Sequence, residues 1–320
     1  MGSKLEDQFL DEFPAASEAL GRLSGRQIDK LTEERQIVSD LSSRTGILSL
    51  DILLGGALPA GATCIYGGPA AGKTLMAGHI LTTAQKTGYR TAMVAAEYWD
   101  GWYLKEIGVD LDALPLVPWK TKKELLEFLR DFFSEENSVA VIDSISALHI
   151  DRTDYWDWAD LVEEIVSDMG SAKKGCSLVL TSQVRQLRSA YKDETYTKEI
   201  RSDLKRFDSL MSAILRLTKA DRSPIGVKGY TLSIEVMKSL VGKPSCWVDV
   251  RVVKGKGIEL QDDIVSVAVS YGVLENDRGK IYFDGRWIGT GTKQSIETLE
   301  RNPSLRDEII DRLVESVDNS

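Results

Sequence analysis

The octapeptide Gly67-Gly68-Pro69-Ala70-Ala71-Gly72-Lys73-Thr74 constrains the fold more than any other stretch, because it meets the pattern G-x-x-x-x-G-K-S/T at every fixed position. Such a loop needs glycines where backbone amides converge on an anion and a helix N-terminus directly behind them. It also needs a lysine that reaches the β- and γ-phosphates and a hydroxyl that ligates Mg²⁺. The flanks agree. Residues 63–66 form a short apolar run of strand type, and residues 75–85 follow a helical pattern, so the loop sits at a strand-to-helix turn. The expected ligand is a nucleoside triphosphate with Mg²⁺, cradled by Gly67 to Leu75, with Lys73 and Thr74 as the functional side chains.

The chain has 320 residues, 42% hydrophobic and 28% charged, which suits a globular protein of about two domains. Cys64, Cys176 and Cys246 are far apart in apolar runs and read as reduced core residues. His79 and His149 are the only histidines, too few for a zinc cluster or a histidine-based triad. No stretch approaches 18 apolar residues, and the start shows no signal region, so a cytoplasmic protein without a membrane partner is expected.

The net charge of −9 is unevenly spread: −3 over residues 1–44, −6 over 257–320, and 27 charges of each sign between. Within that neutral middle, residues 184–206 carry Arg185, Arg188, Lys192, Lys198, Arg201, Lys205 and Arg206 against four acids. A basic segment inside an acidic protein is a candidate footprint for nucleic acid.

Three regions are expected. Residues 1–44 have apolar positions at helical spacing and read as an N-terminal helical oligomerisation segment. Residues 45–256 alternate strands (63–66, 90–97, 114–119, 138–143, 177–183) with helices (from 73, 122–133, 159–173), which predicts a mostly parallel sheet covered on both faces. Three closely spaced β-rich runs, 213–219, 229–238 and 246–253, should extend that sheet in antiparallel fashion. Residues 257–320 read as a small α/β domain ending in a charged helix over 304–317.

Asp143 ends the apolar strand 139–143, where a Mg²⁺-associated carboxylate belongs at the carboxyl edge of such a sheet. Glu97 ends another strand and points into the same crevice, as the candidate general base for an attacking water. A solvated strand-end glutamate is the alternative.

These residues, with Thr45-Gly46, Leu48-Ser49-Leu50-Asp51, residues 104–112, Val141-Ile142-Asp143-Ser144 and Thr181-Ser182-Gln183, follow the order and spacing of RecA-type recombinases, which the chain resembles from Thr45 to its C-terminus. Lys254-Gly255-Lys256-Gly257-Ile258 and Ile288-Gly289-Thr290-Gly291 resemble that family's passage into its C-terminal domain. The resemblance implies a RecA-like ATPase core with Glu97 as catalytic glutamate and Gln183 as γ-phosphate sensor. It further implies Asp100 and Tyr103 as adenine contacts, Lys238 as a lysine reaching the neighbouring protomer's nucleotide, and Arg216 as an interface arginine. Three departures stand out: Leu240 replaces a second such lysine, with Lys243 nearby; Lys254 replaces an aromatic that flanks the nucleotide; and Pro69 to Ala71 replace acidic and serine positions of the loop.

The implied activity is a DNA-dependent ATPase that filaments on single-stranded DNA and pairs it with homologous duplex. A helicase-like motor or a non-exchanging filament protein are the alternatives. The segment from Arg185 to Arg206 holds Tyr191 and Tyr196 among its cations, a mixture that suits a backbone and stacked bases; a solvated charged helix is the competing reading. Tyr155, Trp156 and Trp158 either stack on bases or pack against protein, since Trp156, Ala159 and Val162 also make a helical stripe. Phe13-Pro14-Ala15-Ala16 fits a Phe-x-x-Ala docking tetrapeptide or an ordinary helix end.

Overall fold

A computed structural model describes residues 43–117, 121–148, 158–188, 197–201, 207–220 and 229–318. The N-terminal segment, with Phe13 to Ala16, lies outside the described residues except for its last two positions. Three central strands run parallel to one another: β1 (Gly61–Gly67), β3 (Ser138–Asp143) and β4 (Ser177–Arg188). Their residues alternate between two apolar layers. Ile65, Val139, Val141 and Val179 join one layer, whereas Cys64, Tyr66, Ala140, Ile142, Leu178 and Leu180 join the other. Burial on both faces explains why these strands read as unbroken apolar runs.

The first layer is completed by α1 (Leu48–Leu53), α2 (Lys73–Lys86) and α3 (Gly101–Ile107). The second is completed by α4 (Lys122–Phe132) and α5 (Trp158–Asp168). Local chemistry sets the helix ends. Thr121 and Glu124 form a reciprocal capping box at the start of α4, and Gly108 closes α3 with a left-handed φ of 107°.

On one side, β2 (Arg90–Ala95) pairs parallel with β3. On the other, β6 (Ala213–Ala220) pairs parallel with β1, and β7 (Gly229–Ser239), β8 (Cys246–Val253) and β9 (Gly257–Ile258) follow antiparallel. The order is β2-β3-β4-β1-β6-β7-β8-β9. Strands β7 and β8 bury only alternate residues, Leu232, Ile234, Val236, Val250 and Val252, which is the two-residue period of a half-covered strand.

The chain then forms α6 (Leu260–Ser270), a three-stranded meander of β10 (Glu275–Asp277), β11 (Lys280–Phe283) and β12 (Arg286–Thr290), and helices α7 (Gly291–Arg301) and α8 (Pro303–Asp318). They share an apolar cluster of their own, against which Leu48 and Ile52 of α1 also pack.

Two expectations change. Over 114–117, the strand predicted for 114–119 reduces to one bridge, Leu116 to Met93, in which the Pro115 carbonyl accepts from the Met93 amide at 3.1 Å. Proline has no amide to return, so a ladder cannot propagate through it. Strand β4 runs past Gln183 to Arg188 and pairs antiparallel with β5 (Thr197–Arg201), so these parts of the basic segment are a hairpin rather than a charged helix. Among the described residues, the three cysteines are free thiols and no helix is long and apolar enough to cross a membrane.

Candidate nucleotide site

The glycine loop joins β1 to α2, and its tight course explains its composition. A Cβ on Gly67 would lie 2.5 Å from the Leu217 carbonyl oxygen of β6, and Gly72 adopts a left-handed φ of 92° before α2 begins. Ala70 also takes a positive φ, 56°. Lys73 is 8% exposed and donates through Nζ to the Gly68 carbonyl at 3.0 Å and the Gly67 carbonyl at 3.3 Å. Burial lowers its pKa, opposed by the nearby carboxylates of Asp143 and Glu97.

The carboxylates are placed by the ends of β2 and β3. The amides of Ala96 and Glu97 both donate to the Asp143 carbonyl, at 2.9 and 3.1 Å, so Glu97 lies just beyond β2 beside the last residue of β3. Asp143 accepts at Oδ2 from Thr74 Oγ1 at 2.7 Å and at Oδ1 from the Thr181 hydroxyl. Glu97 Oε1 accepts from Gln183 Nε2 at 2.9 Å and from the Ser144 hydroxyl. Four segments of the sheet's carboxyl edge therefore meet in one polar knot behind Lys73.

A cleft of about 330 Å³ opens there, lined by the loop from Pro69 to Leu75, by Glu97, Tyr103, Asp143 and Gln183, and by Tyr230. This volume falls in the range of small-molecule sites. Thr74 and Asp143 supply only oxygen donors, the hard set that Mg²⁺ takes alongside phosphate oxygens. Among the described residues there is no cluster of three histidine, cysteine or acidic side chains to suggest another metal.

The other expected residues have partners of their own within the chain. Asp100 caps α3, accepting from the Tyr103 amide at 3.2 Å, and does not line the cleft. Lys238 lies outside it, with Nζ donating to the Asp208 and Ser209 carbonyls at 2.6 and 3.1 Å. Arg216 pairs with Glu235 at 3.4 Å on the neighbouring strand. Leu240 is 62% exposed, and its amide donates to the Ser212 carbonyl at 3.0 Å.

Of the candidate DNA contacts, Arg185 and Arg188 lie on β4, Lys198 and Arg201 on β5, and Trp158 opens α5. Lys192, Lys205, Arg206 and Trp156 lie outside the described residues. Sequence reasoning missed Tyr230 and Ser144. Tyr230 carried no local signal, being 156 positions from Thr74; Ser144 directly follows Asp143 and could have been read as its neighbour at the strand end.

Comparison with known proteins places these features in a group. Residues 18–259 match the family model of the RecA N-terminal domain. Protein RecA of Cereibacter sphaeroides is 28% identical over 324 residues, covering 95% of this chain and 94% of that protein. Protein RecA of Brucella suis is 27% identical, covering 95% and 89%, and that of Francisella tularensis subsp. novicida is 29% identical, covering 83% and 77%. The crystal structure of the RadB recombinase superposes with a TM-score of 0.52 at 21% identity, covering 68% of this chain and 98% of that one, a likeness of fold.

Proposed function

The chain belongs to the RecA family, and on that premise we propose that it is a DNA-dependent ATPase that filaments on single-stranded DNA with ATP and Mg²⁺ and exchanges strands with homologous duplex in the cytoplasm. The observation that carries this reading is the continuity of β4. One strand starts in the buried core at Ser177, presents Gln183 to Glu97 at the cleft, and runs on into the basic hairpin that ends at Arg201. A change of partner at Gln183 thus acts on the same strand that carries Arg185 and Arg188.

In this reading the loop amides and Lys73 hold the triphosphate, and Thr74 and Asp143 hold Mg²⁺. A metal held there would supply charge neutralisation to the phosphates. Glu97 takes the proton of the attacking water. The Ser144 hydroxyl and the Gln183 side-chain amide donate to Oε1 and hold the carboxylate in place for that step. Lys238 reaches the nucleotide of the next protomer, and Tyr103 contacts adenine, its amide held by the Asp100 carboxylate at the start of α3. Cations from Arg185 to Arg206, with Trp156 and Trp158, contact DNA.

The test is the ATPase rate with and without single-stranded DNA, with electron microscopy of the same samples and Lys73→Ala as control. DNA-stimulated turnover together with helical filaments is the expected result. Rings would favour a helicase-like motor, and filaments without stimulation would favour a structural role.

A further inference from the structure

We propose that Tyr230 is a specificity-determining residue of the nucleotide cleft, forming with Tyr103 the aromatic wall against which the base of a bound nucleotide rests. The inference rests on the nucleotide-binding reading above and names a part of the site that the sequence pattern left out.

The cleft has two chemically distinct ends. Glu97, Asp143 and Gln183 make the polar end behind Lys73, where hydrolysis would occur. The remaining lining beyond the loop consists of Tyr103 and Tyr230. A triphosphate seated on Gly72 to Thr74 with its γ end toward Glu97 must direct its ribose and base to that second end. Tyr230 is close to the loop itself: a Cβ placed on Gly72 would stand 3.5 Å from its hydroxyl oxygen and 3.6 Å from the Leu232 methyls beside it. Strand β7 therefore holds the tyrosine directly beside the helix start that cradles phosphate.

The ring is also braced. Lys219 of β6, in register with Leu232, places Nζ 4.6 Å from the Tyr230 ring centroid, within cation–π range. The ammonium rests against the ring and adds positive charge beside it. Both tyrosines are half-buried, and desolvation raises the pKa of each; the proximity of Tyr230 adds to the effect on Tyr103. Two neutral aromatic rings sharing one desolvated lining make a surface for a flat heterocycle, which prefers offset or edge contact with a ring over water.

The test compares two ligands on the full chain by titration calorimetry with Mg²⁺: ATP, and inorganic tripolyphosphate, which has phosphates and no base. Tyr230→Ala is expected to weaken ATP about tenfold while leaving tripolyphosphate within about twofold, and Tyr230→Phe to keep ATP affinity. Lys219→Ala is expected to weaken ATP about threefold. Equal weakening of both ligands by Tyr230→Ala, or no effect on ATP, overturns the proposal. Failure of the unaltered chain to bind either ligand in a Lys73-dependent way overturns the nucleotide reading itself, a separate result.

Discussion

His79 and Asp51 pull stability in opposite directions over the same pH range, so substituting either one should expose the other. His79 lies buried on α2 and accepts at Nε2 from the Ile258 amide at 3.0 Å; burial, then Lys86, lower its pKa from 6.5 to about 4. The fold holds it neutral where an unfolded chain would protonate it, so its contribution is full above pH 6.5 and is lost as pH falls toward 4. Asp51 is fully buried at the start of α1, accepting from the Thr45 amide and hydroxyl, both at 2.8 Å. Desolvation outweighs those bonds and raises its pKa from 3.8 to about 7. Its contribution is therefore full below pH 3.8 and is lost as pH rises through 7.

Between about pH 5 and about pH 7.5 the linkage amounts to about 2 kcal/mol for each group, with opposite signs. Urea unfolding followed by tryptophan fluorescence at those two pH values reads the difference. Relative to the unaltered chain, His79→Gln should lose about 2 kcal/mol on going from the lower to the higher pH, and Asp51→Asn should gain about 2 kcal/mol. Each substitute keeps a neutral acceptor for the amide that the native side chain binds. Variants that track the unaltered chain at both pH values would refute the burial argument, and slopes of the same sign would refute the assignment of charge states.

Further outcomes follow from the same geometry. Glu97→Gln should leave ATP affinity unchanged in calorimetry and lower turnover by about 10²- to 10⁴-fold, the usual worth of a positioned base; retained hydrolysis would remove Glu97 from that role. Gly242→Ala should cost about 1 to 3 kcal/mol in urea unfolding, because the added methyl collides with the Leu53 carbonyl, which the Lys243 amide binds at 2.8 Å, and lies 2.6 Å from Leu54 backbone atoms. Affinity for single-stranded DNA should fall with salt at a log–log slope near −3 if about four cations of the hairpin neutralise phosphates, and a flat dependence would count against that segment.

Much of the cleft was legible because its parts are contiguous or sit at strand ends. The loop from Gly67 to Thr74 is a single run, and an apolar strand closing on Asp143 marks a carboxyl edge without reference to any other segment. The parallel core was legible as unbroken apolar runs, and the antiparallel extension as alternation, because burial on two faces or one writes those two patterns directly. The antiparallel pairing of residues 184–188 with 197–201 was not, since Arg185-Gln186 and Lys198-Glu199 are adjacent polar pairs that break a two-residue period.

What the sequence determined alone is the phosphate loop, the strand-end acids and the fold class, each fixed by short-range spacing. What only the tertiary structure decided is who meets whom across the sheet. Strand β3 lies between β2 and β4, so Gln183 reaches Glu97, and β6 beside β1 lets β7 carry Tyr230 to Gly72. The Ile258 amide likewise finds His79 across 179 positions. Such contacts depend on strand order and on the burial that enforces it, and local residue patterns hold no record of either.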